Sequence, residues 1–103
     1  MAQAILPGKD DIVIPKNTAS IFIGTNFDLM VRNAGITTIV FTGIATEYGV
    51  ESSARDAANR GIFPVIARDA VSSFNKDGHD RSLKNMETMF ALLTTDEIMR
   101  MWR

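Results

Sequence analysis

The chain predicts an α/β fold, a parallel sheet flanked by helices in a Rossmann-like three-layer arrangement. Three observations carry that expectation. Short β-branched runs alternate with segments of helical spacing along nearly the whole length. The connections between them are brief and several end in glycine, which suits right-handed strand–helix–strand crossovers. The runs ITTIVFT and IFPVIA are almost continuously apolar, as expected of strands covered on both faces.

DIVIP, Asp11 to Pro15, reads as a first short strand. Thr25 is a good N-cap, with Asp28 three residues on to complete a capping box, and the helix they start runs to Gly35. Ile36 to Thr42 is the next strand. Thr46 caps a second helix with an inner stripe of Val50, Ala54, Ala57 and Ala58, closed by Gly61. Side chains that small imply close packing on the sheet. Ile62 to Ala67 follows as a strand in which Pro64 removes one ladder donor. A polar stretch, Ser72 to Gly78, leads into a helix reaching about Phe90. Leu92 and Leu93 form a last short strand, and Thr94 with Glu97 is a capping box before a terminal helix. There is no internal repeat and no linker, so residues 1–103 read as one domain. Three or four parallel strands make a thin sheet, and its open edge predicts a homo-oligomer or a partner chain.

Bulk composition narrows the function. Hydrophobic residues make up 46% and charged residues 22%, ordinary for a folded domain. A net charge of -1 offers no basic surplus for nucleic acid. The apolar runs are too short for a bilayer, and MAQAILPGKDD lacks a charged-then-apolar leader pattern. With no cysteine there is neither a disulfide framework nor a thiolate metal site. His79 is the only histidine, cannot hold a metal alone, and reads as a surface or capping residue. The expectation is a cytoplasmic protein without cofactor or metal. Met86, Met89, Met99 and Met101, with Phe90 and Trp102, read as gap-filling core or interface residues, Trp102 serving either as a subunit anchor or in packing within the monomer.

The chemistry-bearing stretch is GIATEYGVESSARDAANRG, Gly43 to Gly61, which has the frame of a catalytic elbow. An apolar strand feeds a tight turn that opens onto a helix, where free N–H groups and partial positive charge collect. An enzyme would put its nucleophile in that first helical turn, yet the residues are Glu47, Tyr48, Gly49 and Val50. The hydroxyls of Tyr48 and Ser52 have no base beside them and read as hydrogen-bonding surface or pocket groups. Glu47 marks a pocket rim or simply favours the positive end of its helix. Arg55 and Asp56, adjacent on a helix, point apart and are expected to bond neighbouring elements instead. Lys16, after a proline, is either solvated or faces a pocket.

The segments IVIPKNTASIFIGTNFDLMVRNAGI, ITTIVFTGIATEYGVESSARDAANRG and FPVIARDAVSSFNKDGHDRSL, spanning Ile12 to Leu83, resemble the second part of the isochorismatase-like cysteine hydrolases. That family includes nicotinamidases, pyrazinamidases and carbamoyl-sarcosine amidases. The resemblance implies a domain truncated at its N-terminus and a chemistry of small-amide or vinyl-ether hydrolysis. It implies an Asp–Lys–Cys triad with the lysine at Lys16 and the cysteine position at Gly49, the nucleophile being absent. The aspartate, like the metal ligands of the nicotinamidase subgroup, belongs to a segment without a counterpart here. By the same resemblance the backbone N–H groups of Ala45 and Gly49 are the oxyanion donors, and a non-proline cis peptide falls at Ile44–Ala45. Gly49 also has a plain reading, as a residue that lets a neighbouring backbone approach closely. Three functions follow. The chain is a family member without cysteine-dependent catalysis whose turn still takes a small amide or carboxylate. Alternatively, it is an interaction module that completes its sheet with itself or a partner. Or it is an active hydrolase using another nucleophile or groups across an interface.

Overall fold

A computed structural model describes residues 8–102. Its elements are α1 (Phe27–Asn33), β1 (Thr38–Ile44), a π-helical turn (Thr46–Val50) running into α2 (Glu51–Asn59), β2 (Phe63–Ser72), α3 (Lys76–Glu87), β3 (Ala91–Leu93) and α4 (Thr95–Met101). The strands form one parallel sheet in the order β1-β2-β3, with Thr38 opposite Phe63 and Val65 opposite Ala91. Register slips once: Phe41 faces Ile66, but Gly43 already faces Val71, so Thr42 stands against the four residues Ala67–Ala70 of β2.

The two faces of the sheet are packed unequally. On one, Phe41, Ile66 and Val71 meet Phe22, Val31 of α1, Val50, Ala54 and Ala57 of the turn and α2, and Met86 of α3. On the other, Val65 and Ala67 meet only Ile98 of α4, with Val40, Ala70, Ala91 and Leu93 partly buried around them. Phe63 remains 53% exposed.

Several expectations need correction. DIVIP is not a strand: residues 11–15 lie outside the sheet with Ile12 and Val13 exposed, because β-branched side chains favour a strand only where a pairing edge receives them. The capping box at Thr25 does not form. Thr25 Oγ1 accepts from the Phe27 N–H at 3.2 Å, while the Asp28 carboxylate is drawn away to Arg32 at 3.1 Å and Arg60 at 3.6 Å. β1 is not covered on both faces, since it stands at the sheet edge and only Phe41 is buried. In α2 the buried polar residue Ser53 replaces Ala58, which is exposed. Ser53 faces inward because its Oγ accepts the Ile21 N–H at 3.0 Å. Of the four methionines read as core or interface residues, Met86 is core, while Met89, Met99, Met101 and Trp102 are exposed and do not fill the core of this chain.

The second capping box does form: Thr94 accepts the Glu97 N–H and the Glu97 carboxylate accepts the Thr94 N–H at 2.9 Å. No helix among the described residues is long and apolar enough to cross a membrane.

Candidate functional site

The elbow stands at the C-terminal end of β1, where ligands of parallel α/β sheets commonly bind. The Ile44–Ala45 peptide bond is cis. The Ala45 carbonyl accepts from the N–H groups of Tyr48 (3.1 Å) and Val50 (3.2 Å), closing the turn on itself. Tyr48 projects outward, 66% exposed.

A segment preceding α1 is folded against this turn. Phe22 anchors it in the core, edge-to-face with Phe27 at 5.1 Å and beneath the Arg60 guanidinium at 4.8 Å. The bond from Ile21 to Ser53 pins it to α2. Lys16 is thereby carried to the elbow. Its ammonium donates to the carbonyls of Thr18 (2.8 Å) and Ala19 (2.9 Å), which uses two of its three donors. A Cβ placed at Gly49 would lie 3.7 Å from Lys16 Nζ and 3.3 Å from the Ala19 carbonyl oxygen. Lys16, Ala19 and Gly49 therefore converge, and a side chain at position 49 requires the Ala19 carbonyl to retreat slightly. Lys16 remains on the solvent side of this contact.

On its opposite flank the elbow is fastened to α3. Thr46, fully buried, shares a 2.7 Å hydrogen bond with His79 Nδ1. His79 is therefore half-buried in a side-chain bond and is not a surface group; its partner lies 33 residues away, out of reach of local pattern reading. The Ser82 hydroxyl lies within reach of the Thr46 carbonyl (3.3 Å) and bonds the Glu51 carboxylate. Ser73 donates to Glu47 Oε2 at 2.8 Å. That bond is the main reason the Glu47 carboxyl is held below the usual carboxylate range, with bonding to its own backbone and the nearby His79 and Arg81 acting in the same direction. Glu47 Oε1 is enclosed and meets no donor among the described residues. Gly78, in the first turn of α3, gives Glu47 its room: a Cβ there would stand 2.6 Å from Glu47 Oε2.

Sequence reasoning passed over Thr46, Ser73, Gly78 and Ser82 as site residues. The available signal was the glycine itself, a poor helix former inside the first turn of α3. Arg55 and Asp56 do not pair with each other. Each pairs along α2, Arg55 with Glu51 at 2.9 Å and Asp56 with Arg60 at 3.7 Å, and Arg55 also reaches Met89 Sδ at 3.7 Å. A separate cleft of about 280 Å³ between β2 and α3 is lined by Arg68, Asp80, Leu83, Lys84 and Glu87, shares no residue with the elbow, and balances its charges. No group of three metal-ligating side chains occurs among the described residues.

A parallel sheet whose first strand ends in this turn, with a lysine brought to the turn from upstream, defines an isochorismatase-type α/β domain. The isochorismatase domain family matches residues 2–98, and the chain belongs to that family. Among curated relatives, it is 38% identical to the ureidoacrylate amidohydrolase RutB of Methylorubrum extorquens, over 97% of this chain and 45% of that protein. Among solved structures it superposes on an isochorismatase-like hydrolase from Alkaliphilus metalliredigens with a TM-score of 0.94 and 26% identity, over 99% of this chain and 56% of that one. An isochorismatase family protein from Burkholderia thailandensis gives 0.84 and 37%, over 90% and 50%. The nicotinamidase PncA of Bacillus subtilis gives 0.73 and 35%, over 77% and 44%. The chain spans less than half the length of the curated relatives it matches.

Proposed function

We propose that this chain is a single cytoplasmic isochorismatase-family domain portion that carries out no cysteine-dependent hydrolysis and keeps, at the elbow, a site for a small amide or carboxylate. The observation that carries this reading is the meeting of Lys16 with the turn at a residue without a side chain, Gly49. In the family resemblance that position belongs to the cysteine, and the 103 residues contain none. A thiolate at a helix N-terminus beside a lysine is the family's reagent. Without it, the ammonium and the backbone donors of Ala45 and Gly49 remain suited to holding a carboxylate or a polarised carbonyl without cleaving it.

The test is a paired assay: ammonia release from ureidoacrylate and nicotinamide, and titration with acetate and acetamide followed by the amide signals of residues 45–49. Binding without turnover is expected, and Gly49→Cys stays inactive because the family's aspartate belongs outside these residues. Turnover that disappears in Lys16→Ala would instead establish the active-hydrolase reading, with another nucleophile.

A second reading is favoured by the thinly covered sheet face. Val65 and Ala67 rest on one seven-residue helix, Phe63 stays half open, and β1 carries no charge or proline to blunt its edge. On this reading the chain self-associates, covering this thin face and completing its sheet at the β1 edge. Light scattering should then give at least a dimer mass, reduced by Phe63→Asp; a monomer at all concentrations removes the reading.

A further inference from the structure

We infer that the β2–α3 connection and the first turn of α3 form a positioning element for the elbow, in which Gly78 admits the Glu47 carboxylate, Ser73 holds it, and His79 holds Thr46. The inference rests on the reading of the elbow as a binding turn. Its basis is that both leading residues of the turn are fixed from the same side. Thr46 has no exposed surface and its hydroxyl is committed to His79 at 2.7 Å. Glu47 reaches past the turn to Ser73, and only the absence of a side chain at position 78 leaves space for it. Asn75, the N-cap of α3, accepts the Gly78 N–H at 3.0 Å, so the helix start that receives Glu47 is itself held. The Lys16 strap touches the turn from the other flank, at Gly49. Residues 45–49 are thus gripped between two elements that do not belong to their own helix, and the α3 side supplies the fixed wall.

Gly78→Ala separates positioning from stability. Alanine is the better helix former, so the substitution favours α3, yet its Cβ falls 2.6 Å from Glu47 Oε2 and 3.1 Å from Glu47 Cδ and expels that flexible carboxylate from Ser73. We expect an unchanged or higher melting temperature, displaced amide signals for Ala45–Gly49, and acetate bound about tenfold more weakly, the scale of one hydrogen bond to a charged group. On a Glu47→Ala background the same substitution should have no further effect on the elbow. Elbow signals and acetate affinity unmoved in folded Gly78→Ala overturn the inference, as does an undiminished Gly78→Ala effect when Glu47 is already alanine. Should the alanine variant fail to fold, Thr46→Val and Thr46→Ser decide: displacement by valine with recovery by serine supports positioning through the hydroxyl, and signals still in both overturn it. If the wild-type chain binds no acetate, the binding reading fails by itself, and the amide signals decide the positioning inference alone.

Discussion

The two faces of the sheet come from the same three strands and reached different ends. One face is sealed by α1, α2 and α3, and its buried set runs from Phe22 to Met86. The other is closed only by Ile98 of α4, and its buried set is three residues. The elbow grows from the sealed face. Val50, Ala54 and Ala57, which continue the turn, belong to the sealed face, and so does Val71, two residues before Ser73. The site is an outgrowth of the well-packed side, and the thin side contributes nothing to it.

The contrast can be broken most directly with one chemical change made on each face. Ile66→Ala, at a residue with no exposed surface, should cost about 2–5 kcal/mol in urea unfolding. Ile98→Ala should cost about 2 kcal/mol or less, because a seven-residue helix can shift to close the gap. Equal losses would show that the faces are energetically alike.

Acid should separate them next. Two carboxylates hold the start of α4. Asp69 accepts the Thr95 N–H and hydroxyl, both at 2.9 Å, and Glu97 accepts the Thr94 N–H. The bond from the Thr95 N–H, then that from its hydroxyl, holds Asp69 below its ordinary value; the bond from the Thr94 N–H, then the Thr94 hydroxyl, does the same for Glu97. A depressed carboxyl contributes its full stabilisation at neutral pH and loses it as the pH falls through the lowered value. Below about pH 4, the signals of Ile98 and Arg100 should therefore leave their folded positions before those of α2. Simultaneous loss would mean that α4 is not the weaker element.

Smaller effects sharpen the picture. Thr94→Ala removes one half of the capping box and should lower stability by about 1 kcal/mol, read as a shift in the urea midpoint. Lys76→Ala, which deletes the exposed pair with Asp80 at 3.1 Å, should change it by less than about 0.5 kcal/mol.

What was legible in the sequence was local. The Thr94–Glu97 box spans three residues and forms as its pattern predicts. Val50, Ala54 and Ala57 face the core as their helical spacing requires. Failures occurred wherever a distant partner decides. Asp28 satisfies the cap spacing but is held by Arg32, one turn along its own helix, and by Arg60 just beyond α2. Ser53 turns inward for a backbone donor 32 residues away, and His79 for a hydroxyl 33 residues away. DIVIP has strand composition without a strand beside it. For Lys16 and Gly49 no periodicity or spacing linked the two; only the family resemblance put them in one site, and their approach depends on Phe22 and Ile21 being anchored first.

The slip in the β1–β2 register makes chain length, rather than residue identity, the constraint on one short stretch. Between Ile66 and Val71 the backbone spends five steps where β1 spends two. Ile66 and Val71, five steps apart, both face the sealed core, which regular alternation does not allow, so the irregular backbone of 67–70 sets the facing of Val71 and the reach of Ser73. Each residue removed there would draw Ser73 back by about 3.3 Å, beyond hydrogen-bond reach of Glu47. Substitutions at exposed Arg68 should be absorbed, whereas insertions and deletions there disconnect β2 from the elbow.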